Sequence, residues 1–228
     1  MRTFINASIF LAKKLTKKLE SIVFPPCCAI CGKLNSKKCC KDCEKRINSQ
    51  LNLNIENKAG YYFERHMYLF KYKNEIRNLI LDYKFRDKSY LYELFAKIIT
   101  KNEKICGILE KYDIIIPVPI HKKRKKQRGY NQSELVARQI SKNIAKLQLE
   151  NKAFIKIKNN KPQSTLNKKQ RKQNVKNVYK LENKGKIENK NIVLFDDIYT
   201  TGNTANEIAK ILKQNGANKI LVLTIAKD

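Results

Sequence analysis

The stretch from Ile192 to Thr204, IVLFDDIYTTGNT, constrains the fold of this chain more than any other. An apolar, β-branched run ends in two adjacent carboxylates, Asp196 and Asp197. A short hydroxyl- and glycine-containing loop follows, Thr200, Thr201, Gly202, Asn203 and Thr204. Apolar residues at Ile208, Ile211 and Leu212 then recur with helical spacing. A strand, an acidic pair, a small loop and a helix N-terminus make the layout of a site for a phosphorylated sugar. Backbone N–H groups at the start of a helix attract phosphate. Gly202 lets the backbone approach closely and adopt positive φ. Carboxylates at the strand end can accept hydrogen bonds from ribose hydroxyls and offset positive charge developing on the sugar. The alternation of faces along a strand predicts that the strand ends before Asp197, so that both carboxylates face the ribose.

No Gly-Lys-Ser/Thr follows the loop, which excludes an ATP-binding P-loop, and GxGxxG is absent, which excludes a dinucleotide fingerprint. The segment instead resembles the 5-phosphoribosyl-1-pyrophosphate (PRPP) motif of type I phosphoribosyltransferases. A plain strand–helix turn with a capping Asp is the bland alternative.

Six of the seven cysteines fall between Cys27 and Cys43. Cys28 and Cys31 form one CxxC knuckle, and Cys40 and Cys43 a second, across a short basic loop. Four thiolates at this spacing can close a tetrahedral Zn²⁺ site of structural type. Cys27 and Cys39 each precede a ligand and could replace it. Disulfides are the rival reading, but nothing in the chain points to an oxidising compartment. Cys106 stands alone in an apolar context and reads as a buried thiol.

The formal charge of +29 favours anionic partners: nucleic acid, anionic lipid or phosphorylated ligands. Part of it reflects the Lys and Asn bias of an AT-rich coding sequence. No apolar run approaches the roughly 20 residues of a membrane span. Residues 1–24 read as a basic amphipathic helix, packed on the cysteine module at 25–50, or alternatively lying on an anionic membrane. Residues 44–60 read as a linker. From residue 61 to 228 strands alternate with helices. Strands are expected near 67–72, 112–118, 153–157, 191–195 and 218–226, and helices over 74–83, 88–105, 131–149 and 204–215. That alternation predicts an α/β fold with a mostly parallel sheet covered by helices on both faces. Ligands then bind at the carboxyl ends of the strands.

Two further motifs belong to that edge. PVPIHKKRKKQRGYNQS follows the strand at 112–118 and carries His121 and six basic residues on what reads as a cationic loop fit for pyrophosphate. PQSTLNKKQRKQNV carries Gln163, Arg171 and Asn174 on a loop that could close over a reacting centre. Taken in order, the double CxxC behind Phe24-Pro25-Pro26, the LDYKFRD segment, VPIHKKRKKQRGYNQS, PQSTLNKKQRKQNV and VLFDDIYTTGNT resemble the ComF family over residues 20–228. The resemblance implies a type I phosphoribosyltransferase-like domain in which Asp196, Asp197 and Thr200–Thr204 carry PRPP with Mg²⁺. His121, Arg124, Arg128 and Asn131 would line the pyrophosphate side, and Arg171 would join the catalytic set from the flexible loop. Lys84 would face the pocket, although the family's Lys-Tyr-x-Gly-like segment here lacks its glycine.

The family also implies a role in natural competence on the cytoplasmic side, in contact with incoming single-stranded DNA and other competence proteins; contact with the inner-membrane surface would come through the amphipathic helix at 1–24. The chemistry expected of the site is displacement of pyrophosphate from PRPP by an acceptor that the sequence does not name. The alternatives are a DNA-binding adaptor whose PRPP site is regulatory or vestigial, and a nucleobase salvage phosphoribosyltransferase. Basic residues over 122–128 and 168–172 with nearby Tyr130 and Tyr179 suit the adaptor. The cysteine module and the charge argue against salvage.

Overall fold

The computed structural model describes residues 27–34, 38–160 and 177–228. The amphipathic segment at 1–24, the Phe24-Pro25-Pro26 leader and the stretch with Gln163, Arg171 and Asn174 lie outside the described residues. The chain divides into two units, 1–46 and 47–228.

In the first unit a turn at Gly32 (φ 74°) brings Cys28 back toward Cys40. Helix α1 (Lys41–Ser49) then begins immediately after Cys40. Its acidic residues Asp42 and Glu44 sit in the first turn and Arg46 in the last, each sign opposing the local end of the helix dipole. The unit's buried cluster is Cys28, Cys40 and Cys43, with Ile30 and Cys39 against it.

The second unit is built on a sheet with strand order β1-β2-β8-β7-β3-β4. Its members are β1 (Asn54–Asn57), β2 (Arg65–Lys71), β3 (Ile114–Pro117), β4 (Gln148–Leu149), β7 (Ile192–Tyr199) and β8 (Ile220–Lys227). Only β1 runs antiparallel to its neighbour; the pairings β2–β8, β8–β7, β7–β3 and β3–β4 are all parallel. The expected mostly parallel α/β sheet is therefore present. Its central strands are apolar at consecutive positions because both faces are covered. Ile192, Leu194, Ile114, Ile116, Ile220 and Val222 pack on one side, with Ile208, Ala209 and Leu212 of helix α7 (Asn203–Gln214). The intervening Val193, Phe195, Ile115, Leu221 and Leu223 are equally buried and face the other side. Helix α6 (Gln132–Asn143), which contacts β3 and β7, covers that side through Val136, Ala137 and Ile140.

Several boundaries differ from the sequence reading, each for a local reason. The expected linker at 44–60 holds most of α1 and the edge strand β1. Their polar composition hid them, because one presents little apolar surface and the other pairs on one side only. Helix α2 (Asn74–Phe85) matches expectation. The helix expected over 88–105 is a short turn followed by α3 (Tyr92–Thr100) and α4 (Glu103–Leu109); it breaks where the Asn102 side chain accepts from the Ile105 N–H and caps a new helix. The helix expected over 131–149 stops at Asn143. Ile144 turns to extended backbone, and Ile144 and Leu147 stay buried in the turn leading to β4, which mimics helical spacing. The basic run after β3 is not a loop but helix α5 (Lys122–Arg128), capped by His121 at its start and ended by left-handed Gly129 (φ 81°). None of its residues is fully buried; its four lysines are exposed, while Arg124 and Arg128 are half-buried. Strand β5 (Phe154–Lys156) pairs antiparallel with β6 (Tyr179–Leu181), outside the main sheet.

Candidate phosphoribosyl-binding site

β3 and β7 run side by side, and the carboxyl end of β3, Pro117, lies opposite Phe195, the residue before the acidic pair. The two sequence motifs lie at and beyond this register, so tertiary pairing joins what 78 positions of chain separate. β7 does not end at the acidic pair, contrary to the sequence reading. Asp196 still pairs with Thr224, Ile198 with Ala226 and Tyr199 with Lys227. The two carboxylates are consequently in different surroundings. Asp197 is 4% exposed and accepts an ion pair from the Lys84 ammonium at 2.8 Å. Asp196 is less buried and accepts from the Ser133 hydroxyl at 3.1 Å and from the Asp197 N–H at 2.9 Å. A strand can carry a carboxylate inward here because Lys84, one residue from the end of α2, supplies the compensating charge.

Burial raises the Asp196 carboxyl well above the usual carboxylate range, and the Asp197 charge adds to it; the Lys84 ammonium and the two hydrogen bonds oppose this only in part. A group in this state is poised to take up positive charge, whether a proton, a metal ion or a sugar cation. One Asp197 oxygen, Oδ2, and the Thr201 hydroxyl are both buried with no hydrogen-bond partner among the described residues. Buried polar atoms of this kind are costly unless something fills them.

Thr200, Thr201 and Gly202 form the turn, while Asn203 and Thr204 already belong to the first turn of α7. Gly202 is left-handed, φ 74°, and a Cβ there would lie 2.2 Å from the Tyr199 hydroxyl oxygen. Only glycine fits both the backbone and the space. The Tyr199 ring is itself stacked 3.8 Å from His66, whose Nε2 lies 2.9 Å from the Thr224 hydroxyl. The loop is thus braced from beneath by a buried aromatic pair.

Asn131 caps α6 by accepting from the Ser133 N–H at 3.1 Å, and its amide donates to the Val118 carbonyl at 3.1 Å. His121 caps α5 through Nδ1, accepting from the Lys123 N–H at 3.2 Å. Arg124 donates to the Asn160 carbonyl at 2.6 Å, and Arg128 donates to the Gln132 side chain. The structure thus brings Lys84, Asp196, Asp197, Asn131 and Ser133 together around the ends of β3 and β7. It gives His121 a capping role on the basic side. Arg171 lies outside the described residues. Asp87 takes the left-handed backbone, φ 53°, that a glycine would favour just after Lys84 and Phe85.

Sequence reasoning missed Lys156 and Ser133. Lys156 sits on β5 with Nζ 5.6 Å from the centre of the Tyr179 ring. Burial and the nearby Arg124 lower its pKa to about 8, with Asp196 opposing. It lines a cavity of about 430 Å³ together with His121, Asn131, Glu134, Asn151 and Phe154. Its place on a strand outside the main sheet left no motif to find it by. Ser133 had a signal, the RGYNQS segment, but not its partner.

In the first unit the sulfurs of Cys28, Cys31, Cys40 and Cys43 all lie within 4.8 Å of one another, and those of Cys31 and Cys40 are 3.8 Å apart. Tetrahedral Zn–S bonds of about 2.3 Å require sulfurs about 3.8 Å apart, so these four fit the ion. The N–H groups of Ile30 and Cys40 point at Cys28 Sγ, at 3.5 and 3.4 Å. Burial alone would disfavour the Cys28 thiolate, but the backbone donors of Cys31, Cys40 and Ile30, with the Cys31 thiol, outweigh it and bring its pKa down to about 6. Cys27 is exposed and Cys39 lies beside the cluster, outside the set of four. Cys106 is half-buried rather than buried, because it sits at the edge of the buried face of α4, and its thiol donates to the carbonyls of Ile99 and Thr100.

No protein-family model matches the chain. It is 33% identical over 153 residues to competence protein F of Haemophilus influenzae, covering 65% of this chain and 66% of that protein. It is 33% identical over 115 residues to the DNA utilization protein YhgH of Escherichia coli, covering 50% of this chain and 49% of the other. Competence protein ComFC of Bacillus subtilis is 27% identical over 194 residues, 83% of this chain and 72% of that one. The chain thus spans from about half to under three quarters of these relatives. Among solved structures, the glutamine PRPP amidotransferase of B. subtilis aligns with a TM-score of 0.37 and 18% identity, over 57% of this chain and 25% of that one. A purine phosphoribosyltransferase from Pyrococcus horikoshii aligns with a TM-score of 0.37 and 17% identity, over 61% and 85%.

Proposed function

Because this chain belongs to the ComF family of competence proteins, we propose that it binds PRPP at the ends of β3 and β7 and acts in natural transformation, handling incoming single-stranded DNA on the cytoplasmic side. The observation that carries the reading is the pair of buried, unpartnered acceptor and donor atoms, Asp197 Oδ2 and Thr201 Oγ1, in the segment that leads into a left-handed glycine at a helix start. A ribose phosphate supplies partners of both kinds: its hydroxyls donate to the carboxylates, and its phosphate accepts from Thr201 and the first N–H groups of α7.

In this reading Asp196 and Asp197 hold the ribose and stabilise a sugar cation as pyrophosphate departs. Lys156, Arg124 and the α5 lysines offset the charge of the departing pyrophosphate. Mg²⁺, when bound with PRPP, neutralises phosphate charge. The raised Asp196 carboxyl, beside a second carboxylate, fits a cationic partner. Ser133 and Lys84 orient the carboxylates from behind. No helix among the described residues is long and apolar enough to cross a membrane.

Thr201→Val tests the reading with a sign that a structural role cannot copy. Removing an unsatisfied buried hydroxyl should leave the free protein as stable as wild type or up to about 1–3 kcal/mol more so. The same change should weaken Mg–PRPP in calorimetric titration. Equal PRPP affinity in the two proteins would remove Thr201 from the site. A wild type that binds no PRPP would leave the adaptor reading, for which the exposed cations of α5 are the favouring observation.

A further inference from the structure

We propose that Phe85, backed by the Arg128 guanidinium, is a stacking platform for a nucleobase-class ring at the mouth of the carboxylate site. This rests on the reading above for one step, that a ring held there meets a bound ribose. Helix α2 delivers two consecutive side chains to opposite duties. Lys84 turns inward to Asp197, 2.8 Å away. Phe85 turns outward and is 68% exposed, more than any other large apolar side chain described.

Single exposed apolar residues are common and mean little. This one is held in place. The Arg128 guanidinium lies 5.0 Å from the centre of its ring and is itself tied to Gln132. The neighbouring Tyr130 stacks on Tyr83, with centroids 5.9 Å apart and planes 28° apart, and donates its hydroxyl to the Tyr83 carbonyl. The turn between α5 and α6 therefore clamps the end of α2. Immediately beyond, left-handed Asp87 turns the chain, and Arg86 and Lys88 both bond Asp82, so nothing in this segment covers the ring.

A fixed, open aromatic face carries no hydrogen-bond donors, so it discriminates poorly among bases but strongly against non-aromatic rings. The cations supply the second half of the recognition. Arg128, the α5 lysines and Arg86 suit a ligand that carries phosphate next to its ring. Base stacking on such a face is sequence-tolerant, and Arg adds a cation–π component. The ligand chemistry is a base, either free as a nucleoside or within a single strand.

The chain has no tryptophan, so Phe85→Trp places a sole indole reporter at the proposed face. Its emission should be quenched by thymidine, by an oligothymidylate, or by both. Quenching by the oligomer alone assigns the base to a strand; equal quenching by thymidine assigns it to free nucleoside. Phe85→Ala and Phe85→Leu should bind fluorescently labelled oligothymidylate from about 5-fold to over 100-fold more weakly, whereas Phe85→Tyr stays near wild type. Their Mg–PRPP affinity should not move. Unchanged oligomer affinity in both Ala and Leu variants, or an indole that neither probe quenches, would overturn the proposal. If quenching and the Phe85 dependence persist in protein that binds no PRPP, the platform stands and the PRPP reading falls.

Discussion

Asp196 holds its proton to higher pH than an unfolded carboxylate does, because burial and Asp197 disfavour a second negative charge. A folded-state pKa raised in this way contributes stability that is complete below the unfolded value, about pH 4, and is lost as pH rises toward the folded one. Asp196→Asn removes that loss. Thermal melts should show the variant gaining over wild type near neutral pH and not at acid pH, while Mg–PRPP binding falls. A gain of equal size at both would refute the assigned cause. Lys84 tests the other carboxylate. Lys84→Met strands the Asp197 charge in a buried site and should cost about 3–5 kcal/mol in denaturant unfolding. Adding Asp197→Asn should recover much of it, since the double variant buries no unpaired charge. Simple additivity of the two losses would show that the 2.8 Å pair is not coupled.

At the scale of elements, the site depends on caps more than on strands. Asn131 both starts α6 and holds the Val118 carbonyl beyond the end of β3. Asn131→Ala should cost about 1 kcal/mol for the cap alone. Asn131→Asp keeps the capping acceptor but loses the donor to Val118, so its melting temperature should fall less than that of the Ala variant. An Asp variant as unstable as Ala would place the loss in the Val118 bond rather than the cap. Helix α5 follows the same logic. His121 and Gly129 bound it, and between them the lysines need no apolar face. Neighbouring like charges disfavour such a helix, which makes it a segment that an anionic ligand would stabilise.

The whole molecule is two units with different sources of stability. The sheet unit has an apolar core on both faces of β7 and β8. Among the described residues, the first unit buries chiefly its cysteine cluster, with Ala29, Ile30 and Cys39 beside it. A small module that binds an ion through four sulfurs is expected to draw its stability from that ion more than from packing. Chelation of the full chain should therefore release about one Zn²⁺ per chain and abolish amide protection in residues 27–46, while the protection of β7 and β8 survives. Hydrogen exchange measures both at once. Loss of protection in the central strands together with the module would show that the two units fold as one.

Read alone, the sequence determined the α/β class, the order of most strands and helices, the four-cysteine cluster and the acidic pair with its glycine loop. These are local: periodicity, CxxC spacing and a glycine followed by a helix are written within a dozen residues of chain. The sequence did not determine where β7 ends, because the ladder to Thr224, Ala226 and Lys227 overrides the preference of a carboxylate for the strand terminus. Nor did it show that Asp197 is buried, since Lys84 reaches it from 113 residues away. The helical state of residues 122–128 was hidden by a charge run that has no apolar face. Lys156 and the exposed ring of Phe85 carry no motif, and their surroundings come from elements remote in the chain. Tertiary structure alone decided these points, because the energy of a buried charge or a fixed ring depends on what other segments bring beside it.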